Sequence, residues 1–299
     1  MKTLTQTWDD NCQPEATALS INSGTTTSDG ASSAAPVRQS LGNRTINFTT
    51  LPDILSPESA LGEYEKLIQP ARERFALSAG IRGMINRDTQ AQTMAAFLLH
   101  FSALSVPITE PVEQWISRAG ESCSALGLDN IAQSLHKHSK AEAGHHQFHL
   151  NDFSALISFW NDRWSPPVTA TDIIRHGSTR GGERYCRIHE DNITGSTPYC
   201  QFAIEYEIEL LPVQYGSEFV GNCQRLLGTE ILSCMSFVTS HVEFDVGHTK
   251  FNSHFLGNLI LENPSRLAPL AAAGADALDS FAEHLSECWQ MAEQFGRQL

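Results

Sequence analysis

The sequence predicts an all-α fold, and three observations carry that expectation. Beyond residue 50, apolar residues recur at the three- and four-residue spacing of amphipathic helices. Cap and stop signals bracket these stretches at helix length. Strand signals are few, and the sequence has no regular βα alternation, Gly-rich phosphate loop or short-period repeat. The expectation is one domain of roughly seven to nine helices packed on each other.

The elements follow in order. Residues 1–50 include "INSGTTTSDGASSAAPVRQS", rich in Ser, Thr, Gly and Ala and poor in large apolar residues. Such a segment buries too little surface to offset its ordering entropy, so a disordered tail is expected, with a short ordered piece at "RTINFTTL". The folded domain is expected over 51–299. "PESALGEYEKLIQPARERF" opens with a Ser-Pro-Glu cap signal. "RDTQAQTMAAFLLHFSALSV" is apolar over a broad face, and "TEPVEQWISRAGESCSALG" ends in a Gly stop. The segment from "DNIAQSLHKHSKAEAGHHQFHL" to "NDRW" reads as one long helix, broken near Gly144 or Asn151. "STPYCQFAIEYEIELL" is helical, with Pro212 bending or ending it. "GSEFVGNCQRLLG" follows. The longest periodic stretch runs from Thr229 to Asn263 and is closed by Pro264. "ADALDSFAEHLSECWQMAEQFGRQL" is an amphipathic C-terminal helix. The part with least regularity, from "WSPP" to "GSTP", reads as a loop able to cover a site.

The totals exclude some functions. The formal net charge is −14, with 34 acids against 20 Lys and Arg. That argues against nucleic acid, whose phosphates require clustered cations, and against an anionic membrane surface. Seven scattered cysteines form no CxxC pair, so neither a disulfide framework nor a zinc ribbon is expected. Reduced thiols and the lack of an apolar leader after "MKTLTQTWDDNCQPE" point to the cytoplasm. No run of eighteen apolar residues occurs, and no transmembrane helix is expected.

Three constellations carry chemistry. In "SHVEFDVGHTKFN", a turn of about 100° per residue puts His241, Asp245 and His248 on one helix face and Glu243 on the opposite one. Apolar neighbours make that face an inward one. A carboxylate and two imidazoles are costly to bury unless something satisfies them, and a metal ion would. In "KAEAGHHQFHL", Glu142 shares a face with His149 seven residues on and also neighbours His145 three residues on. Either pairing supplies one Glu and one His. His136, His138 and one of His145 and His146 are assigned to a solvated face. In "QFAIEYEIELLP", Glu205 and Glu209 share a face and Glu207 points elsewhere. Mixed carboxylates and imidazoles suit iron or manganese better than a thiolate-preferring metal, and ligands on facing helices follow dinuclear carboxylate logic.

The ordered set Glu-x6-His, a helix Glu, then HxxxDxxH resembles the heme-oxygenase-like diiron oxidases, which include iron-containing redox enzymes and relatives of the chlamydial death-domain-associated protein. The resemblance spans roughly residues 55–295. It implies a heme-oxygenase-like bundle of about seven core helices without heme, two Fe(II) ions and O2 as co-substrate. Its ligand places fall on Glu142, His149, Glu209, His241, Asp245 and His248, with Glu205 and His145 as alternatives. It implies oxidation of a small organic substrate, such as one derived from an amino acid, in a natural-product pathway. An external electron donor and a homodimer are compatible with it.

Other functions fit the same fold. A heme-degrading oxygenase would need a proximal histidine, and His100 in "AAFLLHFSAL" is the candidate. A thiamin-salvage hydrolase would need a nucleophilic thiol, with Cys200 and Cys234 available. A metal-free interaction protein would need neither, and iron content separates it from the diiron reading. Arg180, Arg184 and Arg187 in the irregular stretch are candidates to clamp a substrate carboxylate.

Overall fold

Ser56 starts the first helix, α1 (Pro57–Ala76), through a reciprocal capping box with Ser59, and Pro57 occupies the first turn. This is the computed structural model of the chain, which describes residues 56–175 and 177–298; the side chains of Phe244, Val246, His248 and 296–298 fall outside that description. All described residues belong to one compact unit, Ile46–Leu299. The expected tail over 1–50 and the piece at "RTINFTTL" lie outside the described residues.

The remaining helices are α2 (Ala79–Ile85), α3 (Ala91–Thr109), α4 (Val112–Ala125), α5 (Asp129–Ala141), α6 (His146–Asn161), α7 (Ala170–Ile174), α8 (Arg180–Thr194), α9 (Gln201–Leu211), α10 (Ser217–Leu227), α11 (Ser236–Glu262) and α12 (Leu267–Gln298). No strand occurs among the described residues. The number exceeds the expected seven to nine because α2 and α7 are short additions, α8 lies in the stretch expected as a loop, and the sequence reads α5 and α6 as one segment. α12 is the spine, packing against α1, α2, α3, α8 and α9. α3 is buried almost all round. Residues Ala91–Ala125 are long and apolar enough to cross a membrane by length and composition, but 72% of that window is buried inside the protein, the pattern of a core helix.

Two expectations are resolved and one is corrected. The segment carrying Glu142 and His149 is broken at one of its two expected places. α5 ends at Ala141, Gly144 adopts φ +81°, and α6 starts at His146. The left-handed region favours glycine, so the break falls at Gly144 and not at Asn151. As expected, the α-helix α9 ends at Leu211, just before Pro212. Pro212 starts a π-helical turn, Pro212–Gly216, that carries α9 directly into α10. The stretch expected as a loop is mostly ordered into α7 and α8. Thr179 caps α8 by accepting from Gly182 N–H. Only Gly181, Gly182, Tyr185, His189 and Ile193 bury themselves there, so the helix reads as polar along most of its length. A Cβ on Gly181 would stand 2.6 Å from Ser280 O and would also strike His284 N. Glycine there lets α8 approach α12 closely.

Candidate metal centre and its cavity

α5, α6, α9 and α11 deliver polar side chains to one cavity whose other walls are apolar. It encloses about 1070 Å³ of space between atoms, counted out to its open mouth. Glu142, His145, His149, Glu205, Glu209, His241 and Asp245 all line it. The rest of the wall includes Phe75, Phe101, Ile108, Phe219, Phe237 and Leu285.

Two groups of potential ligand atoms lie within 4.8 Å of one another: Glu142, His145 and His241, and His138, Glu142 and Glu209. Glu142 belongs to both. One of its oxygens is 2.8 Å from His145 Nδ1 and the other is 3.7 Å from His138 Nε2. A carboxylate with one oxygen toward each group has the geometry of a bridge. The turn at Gly144 produces it, since Glu142 caps α5 while His145 precedes α6.

Glu209 is held from two sides. His138 Nε2 is 2.8 Å from Oε1 and Asn252 Nδ2 donates to Oε2 at 2.5 Å. Burial works against a charge on His138, yet the Glu209 and Glu142 carboxylates outweigh it and hold the imidazole well above its ordinary range. Burial also works to raise Glu142, and His138 and His145 overcome it, so that carboxyl sits below the usual carboxylate range. Glu205 lacks such rescue. Its burial, with Glu209 and Glu142 nearby, outweighs the His138 attraction and the Gln201 hydrogen bond and pushes it up to about 8.

α6 and α11 are locked by Asp152. Its carboxylate accepts Ser236 N–H and Ser236 Oγ–H, each at 2.7 Å, and Phe237 N–H at 2.8 Å. An acid from α6 thus caps the N-terminus of α11, where the helix dipole favours negative charge. One turn before Asp152, the His149 ring stacks on Phe237 at 3.7 Å. One turn after Phe237, His241 Nδ1 donates to Phe237 O at 2.7 Å. That bond fixes the tautomer and leaves Nε2 as the lone-pair nitrogen, a common arrangement behind metal-ligating histidines. Both ring nitrogens of the buried His149 lack a hydrogen-bond partner among the described residues. Burial first, then His241 and His284, keep it uncharged. A buried imidazole with two unused nitrogens is costly and suits a ligand to an absent ion.

Of the residues read from sequence, the structure brings Glu142, His149, Glu209, His241 and Asp245 to the cavity, along with the alternatives Glu205 and His145. Glu243 is exposed, as its helical phase requires. His248 belongs to α11, but its side chain lies outside the described residues. Glu207 turns to the opposite side of α9. It is buried there, with Arg72 donating twice at 2.9 Å and Tyr64 Oη–H once at 3.0 Å.

His138, assigned to a solvated face, is instead buried against Glu209 and Glu142. The signal was present: His138 stands four residues before Glu142, one turn away on the same face. His136 fits the outward assignment better, being half-buried with its ring over Gly120. The three arginines considered as a substrate clamp are not brought to this cavity. Arg180 pairs with Glu287, Arg184 pairs with Asp276, and Arg187 is exposed; none lines the cavity. They sit on α8, whose polar face looks outward. His100, the heme candidate, has Nδ1 bonded to Ala96 O at 2.8 Å and does not line the cavity.

The six described cysteines are free thiols, and none is among the described residues lining the cavity. Burial raises the Cys234 thiol and pushes Cys200 up to about 12.

No family model and no curated protein matches the chain. Solved structures that resemble it include the following two. One is a domain of unknown function with a heme oxygenase-like fold from Shewanella denitrificans, at 14% identity and TM-score 0.58, covering 80% of this chain and 92% of that one. The other is a TenA homolog from Pseudomonas syringae pv. tomato, at 16% identity and TM-score 0.57, covering 83% of this chain and 99% of that one. Identities this low speak to the fold and not to the chemistry. With an all-helical architecture and two such neighbours, the chain has a heme oxygenase-like fold.

Proposed function

We propose that this protein is a non-heme dinuclear iron oxidase that uses O2 to oxidise a small organic substrate. The observation that carries the reading is the pair of ligand-spaced groups sharing Glu142, with His149 buried beside them and both its nitrogens unpartnered. Carboxylates and imidazoles in this proportion suit iron or manganese. Glu142, His145 and His241 would hold one ion, and His138, Glu142 and Glu209 the other. His149, Asp245 and Glu205 line the same space and complete the donor set. The ions would supply the electrons and the Lewis acidity for O2 reduction.

The chain supplies the rest. Phe237 O holds His241 in one tautomer. Asn252 orients Glu209 from behind. Asp152 fixes the α6–α11 register on which both His149 and His241 depend. The apolar wall limits water at the reacting end. Glu205, protonated near neutral pH at about 8, can yield a proton as an ion binds beside it.

A thiol-based hydrolase reading has the TenA homolog as its support, but it requires a nucleophilic cysteine at the cavity. The described thiols lie elsewhere, and burial raises Cys200 and Cys234 away from the thiolate. A heme reading loses its sequence candidate, because His100 does not line the cavity, and the imidazoles that do are grouped with carboxylates.

Anaerobic Fe(II) titration of the full chain with excess metal tests the proposal. Uptake approaching two irons per chain, followed by O2 consumption on exposure to air, is expected. A plateau at zero overturns the metal reading, and a plateau at one replaces the dinuclear site by a mononuclear one. Full activity on a thiamin-type substrate after chelation would move the protein to the hydrolase reading.

A further inference from the structure

The cavity has a second polar feature away from the metal-binding groups. Ser105 lies one helical turn along α3 from Phe101, whose ring packs edge-on against His149, and with Thr109, Tyr185 and Tyr215 it is one of the hydroxyl-bearing residues in the otherwise apolar wall. Ser105 lines the cavity, and its Oγ is 3.1 Å from Nε2 of the buried His284 on α12. His284 Nδ1 is 2.6 Å from Thr179 Oγ1, and Thr179 Oγ1 also accepts Gly182 N–H at 2.9 Å. The Cys288 thiol reaches Nε2 only at 3.9 Å.

Hydrogen-bond bookkeeping fixes the direction of this chain. A neutral imidazole has one N–H and one lone pair. If Nδ1 carried the hydrogen, Thr179 Oγ1 would accept from both Nδ1 and Gly182. Its own hydrogen would then have no acceptor among the described contacts, in a residue only 2% exposed. If Thr179 donates to Nδ1 instead, Nε2–H donates to Ser105 Oγ and every buried group from Gly182 to His284 is served. The only hydrogen left over is that of the Ser105 hydroxyl, at the cavity wall. Thr109, one turn further on, cannot compete for a ligand, because its hydroxyl donates to Ser105 O at 2.9 Å.

We infer that Ser105 presents an oriented donor to the substrate, and that the substrate is a largely apolar molecule with a neutral acceptor oxygen at this point, such as a ketone, ester or ether. The wall explains the neutrality. No Lys or Arg is among the described residues lining the cavity, and its ionisable groups cluster at the metal end. A carboxylate resting at Ser105 would be desolvated without a cation to answer it. Ser105 is then a specificity-determining residue. Thr179 and His284 are positioning residues acting through it. The inference relies on the proposed function only in taking this cavity as the place where substrate sits.

The test uses the full chain, both chelated and anaerobically loaded with Fe(II). Isothermal titration with 2-octanone, 1-octene and octanoate should rank the ketone first, by about fivefold over the alkene, the worth of one neutral hydrogen bond. In Ser105→Ala, the ketone should fall to the level of the alkene while alkene affinity stays unchanged, which also reports that the cavity is intact. Nitrogen-15 NMR of His284 should show Nε2 protonated and Nδ1 bare. A ketone preference that survives Ser105→Ala overturns the inference. So does octanoate outbinding the ketone in either metal state, no binding of any probe, or an Nδ1–H tautomer. Iron uptake is measured separately, so loss of the dinuclear reading would leave the chelated arm of this test standing.

Discussion

Asp152→Ala tests the claim that the α6–α11 register builds the site. The carboxylate accepts three hydrogen bonds at the start of α11, two on Oδ1 and one on Oδ2. Hydrogen bonds to a charged group contribute about 1.5 to 3 kcal/mol each, so the gross sum exceeds ~5 kcal/mol. Against it stands desolvation. Burial is the largest influence on this carboxyl and raises its pKa despite the three donors. The charged form is therefore costly here, and the net loss on truncation should be well below the gross sum. An estimate of about 2 to 3 kcal/mol follows, near the upper end for removal of a helix N-cap. Asp152→Asn keeps an acceptor oxygen and removes the charge, so about 1 kcal/mol is expected.

Urea denaturation of chelated protein measures both variants. A second readout separates general destabilisation from a site effect. With α11 released from α6, Phe237 loses its anchor against His149, and His241, still bonded to Phe237 O within α11, shifts away from the α6 side of the site. Fe(II) affinity should fall by tenfold or more in Asp152→Ala while His138 and Glu209 remain in place. A stability loss under about 0.5 kcal/mol, or unchanged iron affinity in the folded protein, would refute the reasoning.

Other outcomes are expected. His138→Ala should weaken Fe(II) uptake by about 10- to 100-fold in the anaerobic titration, by loss of a direct or supporting ligand. Glu207→Ala should destabilise the protein by about 3 kcal/mol or more by stranding Arg72 and Tyr64, yet leave iron stoichiometry unchanged in the folded fraction, as urea melts and metal analysis will show. Burial lowers His284 to about 4, so this group favours the fold above its unfolded value near 6.5 and that contribution is lost as pH falls toward 4. The loss should approach about 3 kcal/mol, and His284→Asn should flatten stability over that window in pH-dependent denaturation.

Much of the fold was legible because its signals are local. The Ser56 cap and the apolar face of α3 are read within one or two turns of chain. α8 was not legible for the same reason. Its helical phase is intact, but Gly181 and Gly182 argue against a helix until the backbone of α12 is seen pressing on Gly181 and the Thr179 and Ile108 side chains on Gly182. Pro212 was legible as the end of α9, because a proline lacks the N–H that would continue the ladder. The proline alone does not reveal that a π-helical turn carries the chain straight on into α10.

Glu142 and His149 both line the cavity, but not for the reason their spacing suggests. Glu142 and His149 were placed together because seven residues return to the same face of a continuous helix. No continuous helix joins them. With Gly144 at positive φ the chain turns, and Glu142 becomes a helix end with both its oxygens available. A carboxylate in mid-helix would present itself to one side. At this turn it faces back to His138 on its own helix and forward to His145 on the approach to the next. The break therefore allows Glu142 to serve two ligand groups, and it also explains why His138 belongs to the site. The spacing of Glu142 and His149 marks two helix ends meeting over one cavity, and sequence periodicity alone, which assumes an unbroken helix, could not distinguish that from a shared face.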